Sequence, residues 1–170
     1  EQDLVSCASS SGNQGCNGGL MDQAFDWIEG NGGICLEADY PYTSSTGTTG
    51  LCKKGCTNVA TLTGHKDVPK GVEDALYAAL KTAPVSIAVD AGKFQSYKSG
   101  ILNPLLGCGK QLDHGVTLVG YGTDGGKDYW KIKNSWGETW GDDGFILIER
   151  GNNQTGGLCG ILMAAAYPTV

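Results

Sequence analysis

The chain has 170 residues, 40% of them hydrophobic and 18% charged, a composition that supports a buried core and excludes a disordered chain. Its net charge of −6 and pI near 4.7 argue against nucleic-acid binding, whose electrostatic footprint is a basic face. No stretch reaches the roughly 18 consecutive apolar residues of a membrane span, and no signal-peptide pattern is visible.

In chain order, Glu1-Gln2-Asp3-Leu4-Val5 reads as the middle of a helix, so the chain is expected to begin inside a larger protein. Leu20, Ala24, Phe25 and Ile28 follow a helical period, ended by Gly30-Asn31-Gly32-Gly33. Residues 43–58 are rich in Thr, Ser, Gly and Cys and predict a turn-rich loop. Gly71 to Leu80 predicts a second helix with Val72, Ala75, Leu76, Ala79 and Leu80 inward, stopped before Pro84. After Pro84 the period becomes two. Val85, Ile87 and Val89 alternate with smaller or polar residues, Val116 to Tyr121 is nearly all apolar, and Trp130 and Ile132 alternate with lysines. Phe145 to Ile148 is a further buried-strand candidate, and Gly-rich turns at 122–126 and 141–144 separate these runs. Helices followed by closely spaced strands predict an α+β fold with segregated layers. His65 has no motif around it and reads as a solvated surface residue.

Seven cysteines point to an oxidising, extracellular or lumenal compartment. Cys52 and Cys56 have zinc-like spacing, but no second close pair exists and the only histidines are His65 and His114. Disulfides are favoured over metal, and neither a metal nor a cofactor is expected. An odd count leaves one cysteine free or bonded outside the chain.

His114 sits at the mouth of the apolar run 116–121, and Asn134 follows the Tyr129–Ile132 strand candidate. Two antiparallel strands joined by a Gly-rich turn would bring them together. An amide oxygen would then hold the imidazole in one orientation, as the third member of a nucleophile–base–orienter set does. A neutral Asn suits a thiolate–imidazolium pair because it adds no second negative charge.

The runs Glu1 to Cys7, Gly15 to Asp22, Tyr40-Pro-Tyr42, Pro84 to Ala88 and Cys108 to Val116 resemble the papain-like cysteine peptidases, most of all their cathepsin L-like branch. The resemblance continues through Gly120-Tyr-Gly122, Asn134 to Gly141, Cys159-Gly160 and Tyr167 to Val170. It implies a two-lobed α+β fold. Residues 1–65 would form the remainder of the helical lobe, 66–165 the β-rich lobe, and 166–170 a strand crossing back.

The resemblance assigns His114 as general base, Asn134 as its orienter, Trp136 as a shield over their hydrogen bond and Trp140 as a leaving-group-side wall. Gly18 and Gly19 match a backbone rail for an extended substrate. Leu20, Met21, Ala88, Leu112, Gly115 and Ala164 match the second specificity pocket, all apolar or small, which implies an apolar or aromatic preference at P2. Asp113 is counted with these expected substrate-binding residues and, next to His114, would tune the local field. The pairings implied are Cys7–Cys52 and Cys108–Cys159, with Cys16 bonded to a cysteine upstream. Cys35 and Cys56 lack counterparts in the basic pattern and are expected to pair with each other. None of the seven cysteines precedes Trp or Tyr, as the family nucleophile does, and counting back from His114 puts that nucleophile roughly 15 to 35 residues before Glu1.

The expected function is therefore a cysteine endopeptidase, inert as this chain alone. The expected partners are polypeptide substrates, the upstream segment, and propeptide or protein inhibitors; the expected setting is extracellular, lysosomal or vacuolar. Asn153-Gln154-Thr155 is a glycosylation sequon. Two alternatives remain: an inactive homologue with a structural role, and a disulfide-rich module that binds without cleaving.

Overall fold

The computed structural model describes residues 1–170, which divide into two compact units. The first comprises Glu1–Lys66 with Pro168–Val170, and the second Asp67–Tyr167.

The first unit contains α1 (Gln2–Cys7), α2 (Met21–Gly30) and a small antiparallel pair, β1 (Ile34–Cys35) with β2 (Asn58–Ala60). α2 presents a half-buried stripe and buries Ile28, as its apolar spacing demands. The loop over residues 43–50 has little regular structure and is held by side chains instead. Buried Gln2 donates from Nε2 to Ser44 Oγ at 2.8 Å and to Thr49 O at 3.1 Å, while its Oε1 accepts from Thr43 N at 2.7 Å. A buried amide so fully bonded avoids the desolvation penalty of about 1–3 kcal/mol that an orphaned polar group carries. Disulfides Cys7–Cys52 and Cys35–Cys56 staple the following loop. β3 (Gly64–Asp67) leads out of this unit.

The second unit contains α3 (Glu73–Leu80), β4 (Val85–Val89), β5 (Ile101–Leu102), β6 (His114–Asp124), β7 (Lys127–Lys133), β8 (Phe145–Glu149) and most of β9 (Ala165–Thr169). The sheet order is β3-β9-β4-β6-β7-β8-β5, antiparallel at β4–β6, β6–β7 and β7–β8. One inward row runs Val85–Leu118–Ile132–Ile146 across four neighbouring strands, and every member is fully buried. Burial of such side chains stabilises by about 1.5–3 kcal/mol each, so period-two alternation and the core are one fact. α3 packs Leu76 and Ala79 into this core. Cys108–Cys159 closes the unit's single disulfide loop, with a sequence separation of 51. In the chain-entropy view such a loop contributes about 4 kcal/mol.

Two sequence expectations require correction. Val72 is not an inward helical residue: its backbone is extended (φ −107°, ψ 97°), it precedes the first turn, and it is 46% exposed. The helix starts at Glu73, where Glu73 and Asp74 complement the positive end of the dipole. His65 is not a solvated surface residue either. It is half-buried, its Nδ1 lies 3.3 Å from Asp26 Oδ1, and its ring stacks on Phe25 at 5.9 Å.

Leu118→Ala should destabilise the chain by about 2–5 kcal/mol, whereas Leu105→Ala, at a site 96% exposed, should stay within about 0.5 kcal/mol. Urea unfolding followed by far-UV circular dichroism checks both. Thiol titration of the denatured, unreduced chain should find one reactive thiol, Cys16. Three thiols would mean that Cys35 and Cys56 do not pair.

Candidate active site

β6 and β7 form a hairpin closed at Gly125-Gly126, whose φ values of 55° and 77° suit the left-handed turn that matches strand twist. Near the turn, Tyr121 opposes Trp130 and Gly120 opposes Lys131; farther along, Leu118 opposes Ile132 and Thr117 opposes Lys133. Val119 is therefore an extra residue, a β-bulge. It changes the parity of everything beyond it. Alternating back from Tyr121 without a bulge would put Gly115 on the face of Trp130 and Ile132, whereas the bulge puts Leu118, Val116 and His114 there. Asn134 continues the Trp130–Ile132 parity of β7. Rising along the sheet, the inward row of β6 thus passes from Leu118 through Val116 to His114, which sits opposite Val89 of β4.

His114 Nε2 lies 2.8 Å from Asn134 Oδ1. The same oxygen accepts from Ser135 N at 2.8 Å. A backbone N–H can only donate, so the atom facing it is the amide oxygen, and Nε2 must donate to that oxygen as well. This selects the Nε2–H tautomer and leaves Nδ1 with the free lone pair of the neutral imidazole. Asn134 itself is buried, at 7% exposure, which keeps water from competing for its oxygen.

Two aromatic rings flank the imidazole and a third, Trp140, packs behind them. Trp136 is 5.1 Å from it with planes 34° apart, and Phe94 meets it edge-on at 6.4 Å. Trp140 packs edge-on to Trp136 at 5.2 Å and stacks on Phe94 at 6.1 Å. Trp140 Nε1 donates to Phe94 O at 3.0 Å, which ties the wall together. Tyr97 packs on Trp140 at 5.8 Å and donates to Gly100 O at 2.7 Å; burial, only partly offset by the Leu147 N–H donated to its oxygen, pushes its phenol above the ordinary range. Phe94 and Tyr97 were missed in the sequence because they lie in the irregular stretch around residues 94–97, with no motif and no strand period.

Of the second-unit residues that the resemblance assigns to a specificity pocket, Ala88, Gly115 and Ala164 adjoin one another. Ala88 pairs with Gly115, and Ala88 N donates to Ala164 O at 2.9 Å. Leu112 is half-buried beside Gly160, where a Cβ would come within 2.7 Å of its Cδ2. Met163, not singled out in the sequence, also reaches Gly160 with its sulfur. Asp113 Oδ1 accepts from Ala91 N at 2.9 Å, so its carboxylate is engaged in holding the neighbouring loop. Asp90 braces the same loop, accepting from Gln111 N at 3.0 Å.

In the first unit, Gly18, Gly19 and Leu20 are exposed and Met21 opens α2. Asn13 Oδ1 accepts from Leu20 N at 2.9 Å and occupies the space that a Cβ at Gly19 would need. Gly18 has φ 104° and open space above it, a backbone that another chain can approach closely. Cys16 is exposed and unpaired.

The family description "Papain family cysteine protease" matches residues 1–169. The oryzain beta chain of Oryza sativa subsp. japonica is 50% identical over 171 residues, covering 99% of this chain and 36% of that protein. Vignain of Ricinus communis is 51% identical, covering 99% of this chain and 46% of that protein. This chain therefore spans about a third to a half of these curated relatives. Among solved structures, the bromelain protease from Ananas comosus in complex with the E64 inhibitor matches at TM-score 0.91 and 41% identity, over 99% of this chain and 76% of that one. Digestive procathepsin L 3 of Tenebrio molitor larval midgut matches at TM-score 0.89 and 42% identity, over 99% and 54%. With a two-unit α+β architecture and identity at this level along its whole length, the chain belongs to the papain family of cysteine proteases.

Proposed function

We propose that His114 and Asn134 serve a cysteine endopeptidase whose nucleophilic cysteine lies upstream of Glu1. The observation that carries the reading is the doubly bonded Asn134 oxygen, which leaves His114 Nδ1 as the basic nitrogen. In this reading Nδ1 takes the thiol proton, and the resulting imidazolium holds the thiolate and keeps its Nε2–H on Asn134. The thiolate attacks the peptide carbonyl, Nδ1 returns the proton to the leaving amine, and an acyl-enzyme forms. Water, relieved of a proton by the same nitrogen, then releases the acid. Trp136, Trp140 and Phe94 exclude water from the His–Asn bond, which strengthens it in the lower local dielectric.

None of the chain's own cysteines suits the nucleophile role. Six form disulfides, and Cys16 stands in a short 3₁₀ turn followed by Asn17. Ala88, Leu112, Gly115 and Ala164 of the second unit carry no charge, which supports an apolar or aromatic P2 side chain. The three disulfides support an oxidising setting, extracellular or lysosomal and vacuolar, and the inhibitor-bound and pro-form neighbours support propeptide or protein inhibitors, beside polypeptide substrates, as partners. No helix is long and apolar enough to cross a membrane.

The isolated 170-residue chain should show no thiol-dependent turnover of a fluorogenic peptide carrying Phe at P2; turnover would sink the upstream assignment. In the full-length protein, a P2 Phe peptide should be cleaved faster than its P2 Glu or Arg counterpart. His114→Ala should lower kcat/KM by about 10³–10⁴-fold and Asn134→Ala by about 10²-fold. ¹⁵N NMR at a pH where the imidazole is neutral should give His114 a protonated Nε2 and an unprotonated Nδ1. The reverse tautomer would remove the argument on which the mechanism rests.

A further inference from the structure

We propose that Asn153 carries an N-linked glycan. Among the eight asparagines only Asn153 begins an Asn-X-Ser/Thr sequon, with Gln154 and Thr155 following. A single sequon in a chain of this length is unremarkable by chance, so the structural setting decides. Six other asparagine side chains are committed. Asn13 and Asn103 accept from Leu20 N and Leu105 N, Asn31 and Asn58 donate to Gly33 O and Asn31 O, and Asn134 holds His114. Asn152, next in line, does the structural work of its loop: Nδ2 donates to Glu149 O at 3.1 Å and Oδ1 accepts from Gln154 N at 3.2 Å.

Asn153 makes no such bond. It is exposed, and its φ of 55° is the left-handed conformation that Asn tolerates well. Thr155 is exposed too, with its hydroxyl unengaged and its carbonyl bonded to Lys110 Nζ. The loop is therefore shaped by Asn152 and Lys110, and a substituent on the Asn153 amide displaces nothing in the folded chain.

The donor would be a lipid-diphosphate-linked oligosaccharide, met in the oxidising secretory compartment that the three disulfides support. The bond from sugar C1 to the diphosphate breaks as C1 bonds to Asn153 Nδ2; the lipid diphosphate leaves and takes up the amide proton.

The test is expression of the full-length protein in a eukaryotic host with a secretion signal, followed by peptide mapping of the secreted product with and without peptide N-glycosidase. The expected result is a glycosylated Asn153 peptide, in which the glycosidase releases the glycan and leaves an aspartate side chain at that position. Thr155→Ala should abolish the modification and Thr155→Ser should retain it. Recovery of the Asn153 peptide unmodified from secreted wild-type protein would overturn the proposal. Occupancy is read independently of proteolysis, so this outcome is separate from that of the activity assays.

Discussion

The register of β6 on β7 is the constraint on which the site depends. Side chains alternate across a sheet, so one inserted residue exchanges the buried and exposed sets of a whole strand. The bulge at Val119 makes that exchange once, between the hairpin turn and the mouth of β6. Below it, Tyr121 faces the side of Trp130; above it, Leu118, Val116 and His114 do. A straight ladder would seat Gly115 where the imidazole now lies. The same hydrophobic row that stabilises the sheet therefore aims His114, and core packing and site geometry cannot be varied separately.

Asn134 converts that placement into a defined protonation pattern. Its oxygen receives two N–H donors, Ser135 N and His114 Nε2, and both fix the amide's orientation. Two donors on one acceptor hold it more firmly than either alone, and burial removes competition from water. Trp136, Trp140 and Phe94 pack on one another beside this pair, locked by the indole donation from Trp140 to Phe94 O. In the proposed reading, an imidazole whose orientation is fixed in advance would lose little freedom on reacting, which is the physical value of such preorganisation.

Outside the sheet, order comes from other sources. The region between α2 and β3 has few strand residues and many turns, and its shape rests on two disulfides and on the three hydrogen bonds that Gln2 makes to Thr43, Ser44 and Thr49. In the second unit the loop before His114 is braced twice over, by Cys108–Cys159 and by Asp90 and Asp113 accepting backbone N–H groups. Asp90 N also donates to Cys159 O. These braces join segments far apart in sequence, so the strand that carries the imidazole enters the sheet from a fixed direction.

The amino-acid sequence by itself determined the strand positions in β4, β7 and β8, because period-two burial writes itself directly into residue order. It also carried the motifs around Cys16, His114 and Asn134, from which the family was legible, and it placed His114 and Asn134 at neighbouring strand ends. It did not determine the bulge, because the apolar run Val116 to Tyr121 has no punctuation at Val119. Phe94 was invisible for a related reason: its contact with His114 joins residues 20 apart through folding alone. His65 looked solvated because its partners Phe25 and Asp26 lie about forty positions away. Local pattern records which face of an element is buried. Only the tertiary structure decided which distant residues share that face, since this follows from register and packing across strands.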